Sequence, residues 1–157
     1  MVQINKPNSL AYWLTVILAM ALIIIPWPFS VLIAAPDWVI LTLIYWALAT
    51  PEEASVGKAW FVGLLVDVLT GQLLGQYALT YAFSIFLCIK QHKRIRNFPI
   101  IQQSLAVFVL LLIARILMFW IEHINHQLMP AYFWLPILTG SILWPVIYIV
   151  LNKLRFS

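Results

Sequence analysis

The sequence predicts an all-α membrane protein, a six-helix transmembrane bundle with both termini in the cytoplasm. Three observations predict it. Of 157 residues, 64% are hydrophobic and only 9% are charged. The apolar residues gather into six segments parted by short polar ones. Lys and Arg fall almost wholly in alternate loops. A domain of this length keeps a large surface fraction and cannot hide so much apolar side chain in one core. With a mean hydropathy of +1.00, the bilayer must take up the remainder. One domain is the expected count.

The helices are expected over residues 9–25, 37–50, 55–74, 77–90, 100–122 and 133–152. Ser9 suits an N-cap and Pro26 closes the first segment; Pro51 closes the second. The first segment follows Lys6 but runs into Pro26-Trp27-Pro28-Phe29 rather than a close small-x-small site, so it reads as an uncleaved helix. The fifth is long enough to cross alone at about 1.5 Å per residue. The second and fourth are short for an average span and must borrow flanking residues or thin the bilayer. The third is the least apolar.

Loop charge sets the orientation. With the N-terminus inside, Lys6, Lys58, Lys90, Lys93, Arg94, Arg96, Lys153 and Arg155 are all cytoplasmic. The opposite segments 27–37, 71–76 and 123–132 carry no Lys or Arg. That asymmetry follows the positive-inside rule through the last segment only for an even number of spans. Trp27, Trp38, Trp120 and Trp134 then lie near the outer interface and Trp13 and Trp60 near the inner one, where an indole ring and its N–H are both satisfied. Trp46 and Trp144 fall deeper, between helices.

The net charge of +4 does not indicate nucleic acid, because the cations sit in short loops without exposed stacking aromatics. In the loop from Lys90 to Arg96 they read as contacts to anionic membrane lipid, with a cytoplasmic partner as the alternative. The lone Cys88 lies in an apolar run and excludes an intrachain disulfide.

The third segment carries the most information. Gly63, Asp67, Thr70, Gly71 and Gly75 lie close to one helical stripe. A carboxylate in a span costs on the order of 2.5–3.5 kcal/mol on insertion scales, so Asp67 must face protein or trapped water. It reads either as an acid facing a partner or ligand, or as interhelical glue on a packing stripe; the second is preferred. Arg115 is the candidate counter-ion. At about 1.5 Å per residue, Asp67 lies about 14 Å and Arg115 about 22 Å from the inner side, an offset near the combined reach of the two side chains. An intramembrane ion pair is the hypothesis, and an Arg115 that snorkels or binds helix-end carbonyls is the alternative.

Enzyme signatures are absent. Glu122, His123 and His126 form a sparse group at a helix end, short of the three or four ligands and supporting shell of a tight zinc site. Ser84, Ser104 and Ser141 have no His or Lys at an activating spacing. Gly71-x-x-x-Gly75 lacks the Lys-Ser/Thr of a phosphate loop, and Glu52-Glu53 beside Pro51 read as a loop or helix-start pair. No catalytic residue, metal site or cofactor is expected.

The order of several motifs resembles the MreD family, the small membrane component of the bacterial rod-shape machinery, in its proteobacterial form. They are Pro26-Trp27-Pro28, Pro36-Asp37-Trp38-Val39-Ile40-Leu41, Tyr45-Trp46, Pro51, Val56-Gly57 through Gly63-x-x-x-Asp67-x-x-x-Gly71-x-x-Leu74-Gly75, Phe119-Trp120 with Glu122, and Trp144-Pro145. The resemblance covers nearly the whole chain. It implies a non-catalytic part in cell shape and peptidoglycan synthesis, in the elongation complex of the inner membrane. It implies binding to MreC and, through the complex, association with the RodA glycosyltransferase and a class B penicillin-binding transpeptidase, with the actin-like MreB filament on the cytoplasmic side. It also implies a fold like the substrate-binding subunit of energy-coupling-factor transporters. A true vitamin-binding subunit of such a transporter is the competing reading, weakened because Ala11, Ala19 and Ala21 do not form the Ala-x-x-x-Ala docking pattern of those subunits.

Overall fold

The computed structural model describes residues 9–26, 28, 30, 37–49, 55–71, 75–124 and 134–156. The regular structure among those residues is all helix, with no strand. The helices are α1 (Ser9–Ile24), α2 (Trp38–Ala49), α3 (Val56–Thr70), α4 (Gln76–Lys90), the short α5 (His92–Arg96), α6 (Ile100–Ile124) and α7 (Leu135–Phe156).

Two helices are long and apolar enough to cross a membrane on length and composition, over Ile100–Ile121 in α6 and Leu135–Lys153 in α7. The others are shorter, and α2 explains how a short helix is used. Every residue from Val39 to Leu48 is buried. Helices α1, α4, α5 and α7 all pack on α2, so it needs no lipid-facing stripe and no length to match the bilayer. Its twelve residues form the axis of the molecule.

Side-chain contacts fix the relative directions of the helices. Late in α2, the Trp46 Nε1–H donates to Thr15 Oγ1 in the first half of α1 at 2.8 Å. The neighbouring Tyr45 hydroxyl donates to Asn152 Oδ1, near the end of α7, at 3.0 Å. The starts of α1 and α3 meet where Lys58 Nζ lies 5.2 Å from the Tyr12 ring centroid and the Trp13 and Phe61 rings pack edge to face. At the opposite end, Asp37 before α2 meets Tyr81 early in α4, and Phe119 late in α6 meets Trp134 beside α7. Successive long helices therefore run in alternating directions. Lys58, Lys90, Lys93, Arg94 and Lys153 all come to one end.

The outward faces are apolar. Along α6, Ile101, Leu105, Val109, Ile116 and Trp120 are exposed, and along α7, Leu138, Ile142, Val146, Ile149 and Val150 are exposed. Monomeric soluble proteins rarely expose apolar stripes of this extent. They suit a hydrocarbon solvent, and this protein is a membrane protein. Trp46 and Trp144 are fully buried between helices.

The third segment, expected over 55–74, differs in its end. Helix α3 stops at Thr70, and Gly71 in the left-handed region (φ 71°) caps it, donating its N–H to the Asp67 carbonyl. Asp67 thus sits one turn from the end of α3 rather than at mid-span. The basic loop between the fourth and fifth segments also differs, because it holds the short helix α5.

Candidate functional site

The most extensively packed helix pair is α3 with α4, and residues of the third-segment stripe lie in it. Gly63 lies where α4 crosses, and a Cβ there would run into the backbone of Ala78 and Tyr77. Close approach of two backbones is what a small residue permits. That approach carries Asp67, only 1% exposed, to the beginning of α4.

There its carboxylate accepts three backbone N–H bonds. Oδ2 takes those of Gly75 at 2.9 Å and Ala78 at 3.4 Å, and Oδ1 takes that of Tyr77 at 2.8 Å. These are among the N–H groups that the first turn of a helix leaves without an intrahelical acceptor. A carboxylate at that end also meets the positive end of the helix dipole. Asp67 is therefore the N-terminal cap of α4, supplied from α3. Gly75, at φ 100°, bends the chain into α4 so that its own N–H points back at Asp67. Thr70 turns inward on its own helix, its hydroxyl donating to the Val66 carbonyl at 2.7 Å.

Arg115, the candidate counter-ion for Asp67, lines a cavity beside another acid. Backbone amides of α4 take up the Asp67 carboxylate, and Arg115 lies with a different acid, Asp37. The two line a cavity of about 10 Å³ with Thr80, Leu111, Met118 and Pro136, room for about one water molecule. Asp37 accepts the Tyr81 hydroxyl at 2.9 and 3.0 Å and caps α2 by accepting the Ile40 N–H at 3.3 Å. Arg115 supplies the opposite charge that acts on Asp37 across this cluster. Asp37 and Tyr81 tie α2 to α4, and Arg115 of α6 lines the same cavity, at the end away from the lysines. The sequence reading missed this cluster, although depth was the available signal. An Arg about 22 Å along the segment from Ile100, at about 1.5 Å per residue, lies nearer the level of Asp37 at the start of α2 than that of Asp67.

One further buried polar pair joins two helices. Trp144 Nε1–H donates to Gln103 Oε1 at 3.3 Å, joining α7 to α6. Ser104 and Ser141 bond to carbonyls of their own helices. The side chains of Glu122 and His123, and the whole of His126, lie outside the described residues, as do Glu52 and Glu53.

With this arrangement in view, comparison with known proteins is decisive. Residues 7–154 match the family described as rod shape-determining protein MreD. The chain belongs to the MreD family. A relative from Haemophilus influenzae, the "Rod shape-determining protein MreD", is 33% identical over 151 residues, 91% of each chain. No solved structure matches this MreD-family chain. The matched stretch contains every residue of the Asp67 and Asp37 clusters, so both lie within the part of the chain that defines membership.

Proposed function

We propose that this chain is a non-catalytic membrane component of the bacterial elongation machinery, determining rod shape by binding MreC within the bilayer. The family match over residues 7–154 carries the reading. The interior supports it. Asp67, Asp37, Tyr81, Trp46 and Trp144 are all engaged in bonds that hold helices together, and a scaffold rather than a reaction centre is what such groups build. Short connections leave little aqueous surface, so a partner docks on helix faces or on the outer ends. RodA, a class B penicillin-binding transpeptidase and cytoplasmic MreB join through the wider complex.

The membrane arrangement proposed is a six-span bundle with both termini cytoplasmic, of the kind seen in substrate-binding subunits of energy-coupling-factor transporters. Alternating helix directions support it, as does the gathering of Lys58, Lys90, Lys93, Arg94 and Lys153 at one end. The shorter helices α1 to α4 fit by tilting, by local thinning of the bilayer, or, for α2, by being sheathed in protein.

Depletion of the protein in its rod-shaped host, followed by imaging, tests the function. Cells are expected to round up and swell, and rods that persist through depletion would sink the assignment. Purification of the intact membrane complex is expected to bring MreC with it. A stoichiometric vitamin found instead by mass spectrometry would make the chain a transporter subunit.

A further inference from the structure

The exposed face of α4 changes character along its length. Leu79, Phe83 and Phe86 are 53%, 42% and 50% exposed, spaced four and three residues apart. The same spacing continues into Lys90, then Lys93 and Arg94 of α5, all exposed. An apolar, aromatic strip thus ends in three cations.

The cations are held in place. The chain bends at Gln91 without unravelling, its N–H donating to the carbonyls of Leu87 and Cys88 at 3.2 Å. The amides of Arg94 and Ile95 return to the Gln91 carbonyl at 3.1 and 3.0 Å. Ile95, 7% exposed, plugs α5 onto the body of the protein, and α5 packs against α2 and α6. Lys90, Lys93 and Arg94 therefore project from ordered backbone. They form no ion pair among the described residues, and no Asp or Glu occurs between Gly75 and Ile121. Their counter-charge comes from outside this part of the chain.

We propose that the α4–α5 face is a binding site for an anionic phospholipid, its acyl chain along Leu79, Phe83 and Phe86 and its phosphodiester headgroup against Lys90, Lys93 and Arg94. Four residues separate Phe86 from Lys90, a rise of about 6 Å, which spans the step from acyl region to headgroup. An acidic protein segment would match the cations but not the hydrocarbon-facing strip that leads into them.

The test uses the full chain in neutral detergent, offered phosphatidylglycerol or phosphatidylcholine, with retained lipid counted by native mass spectrometry. The wild type is expected to prefer phosphatidylglycerol by on the order of a hundredfold, from three surface cations. The K90Q/K93Q/R94Q variant should lose that preference, and K93Q alone should lose part of it, which guards against misfolding of the triple variant. F83A/F86A should weaken retention of both lipids and keep the preference. Equal retention of the two lipids by the wild type would overturn the site. So would a preference that survives in a folded triple variant, whether or not that variant loses an acidic protein partner. Competition by inorganic phosphate at equal concentration would assign the cations to a free anion and overturn the lipid site.

Discussion

Asp67 is a buried carboxylate and Asp37 a half-buried one; each serves the beginning of a helix, but they reach it by different routes. Asp37 caps the helix that follows it, and Asp67 caps α4 from the neighbouring α3. Bonds from N–H groups to a charged acceptor are each worth about 1.5–3 kcal/mol, more than neutral ones. Asp67→Ala strands three amides and is expected to cost about 2–4 kcal/mol, with Asp67→Asn costing less because its carbonyl oxygen still accepts. Thermal unfolding in detergent measures both, and an unchanged Tm for Asp67→Ala would exclude the capping role. Arg115 lines the cavity beside Asp37. A double-mutant cycle of Asp37→Asn with Arg115→Gln is expected to show a coupling of at least about 0.5 kcal/mol, as residues of one polar network do. The cycle of Asp67→Asn with Arg115→Gln should be additive, and the opposite ranking would restore the Asp67 pair.

At the scale of elements, the α3–α4 hairpin is one device built from the stripe Gly63, Asp67, Gly71 and Gly75. Gly63 lets the helices touch, Gly71 ends the first, Gly75 turns into the second and Asp67 locks the junction. Gly63→Val has no space to enter and is expected to separate the helices, lowering stability by several kcal/mol through overpacking, at or above the usual range of about 1–3 kcal/mol. Gly57 is the control within the same helix. A Cβ there meets only Ser55 Oγ at 4.0 Å, so Gly57→Ala should be neutral or stabilise by up to about 1 kcal/mol through helix propensity. If the two substitutions behaved alike, close approach at Gly63 would not be what the hairpin depends on. The stripe itself was legible from glycine and aspartate spacing. Its use was not, because a helical wheel gives the direction a residue faces and not what stands opposite. The end of α3 is hidden from the sequence for a related reason. Gly71-Gln72-Leu73-Leu74 is apolar enough to continue a span, and only the backbone at Gly71 shows that the helix stops.

For the whole molecule, the arrangement follows from which helices need lipid. Long α6 and α7 present exposed apolar stripes along their length, and short α2 is enclosed. Wrapping the most apolar segment inside the bundle leaves the periphery to helices that can also carry polar contacts at their ends. The proposed topology predicts that a reporter fused after Ser157 is active on the cytoplasmic side. It also predicts that a single cysteine replacing Lys93 is labelled only after the inner face is opened, in a background with Cys88 replaced. Labelling of that cysteine from the outer side would reverse the orientation, and a C-terminal reporter active outside would make the span count odd.

Helicity, a place in the membrane and the concentration of loop cations in alternate connections are legible in the sequence alone. These are properties of local composition and of order along the chain, and hydropathy and loop charge read them directly. Packing settles that Asp67 caps α4, that Arg115 shares a cavity with Asp37, that α2 is the enclosed axis and that the basic loop is an anchored helix. Each of these depends on how far one helix is turned and shifted against another. That is settled by packing among residues far apart in sequence, such as Gly63 with Ala78 and Asp37 with Tyr81.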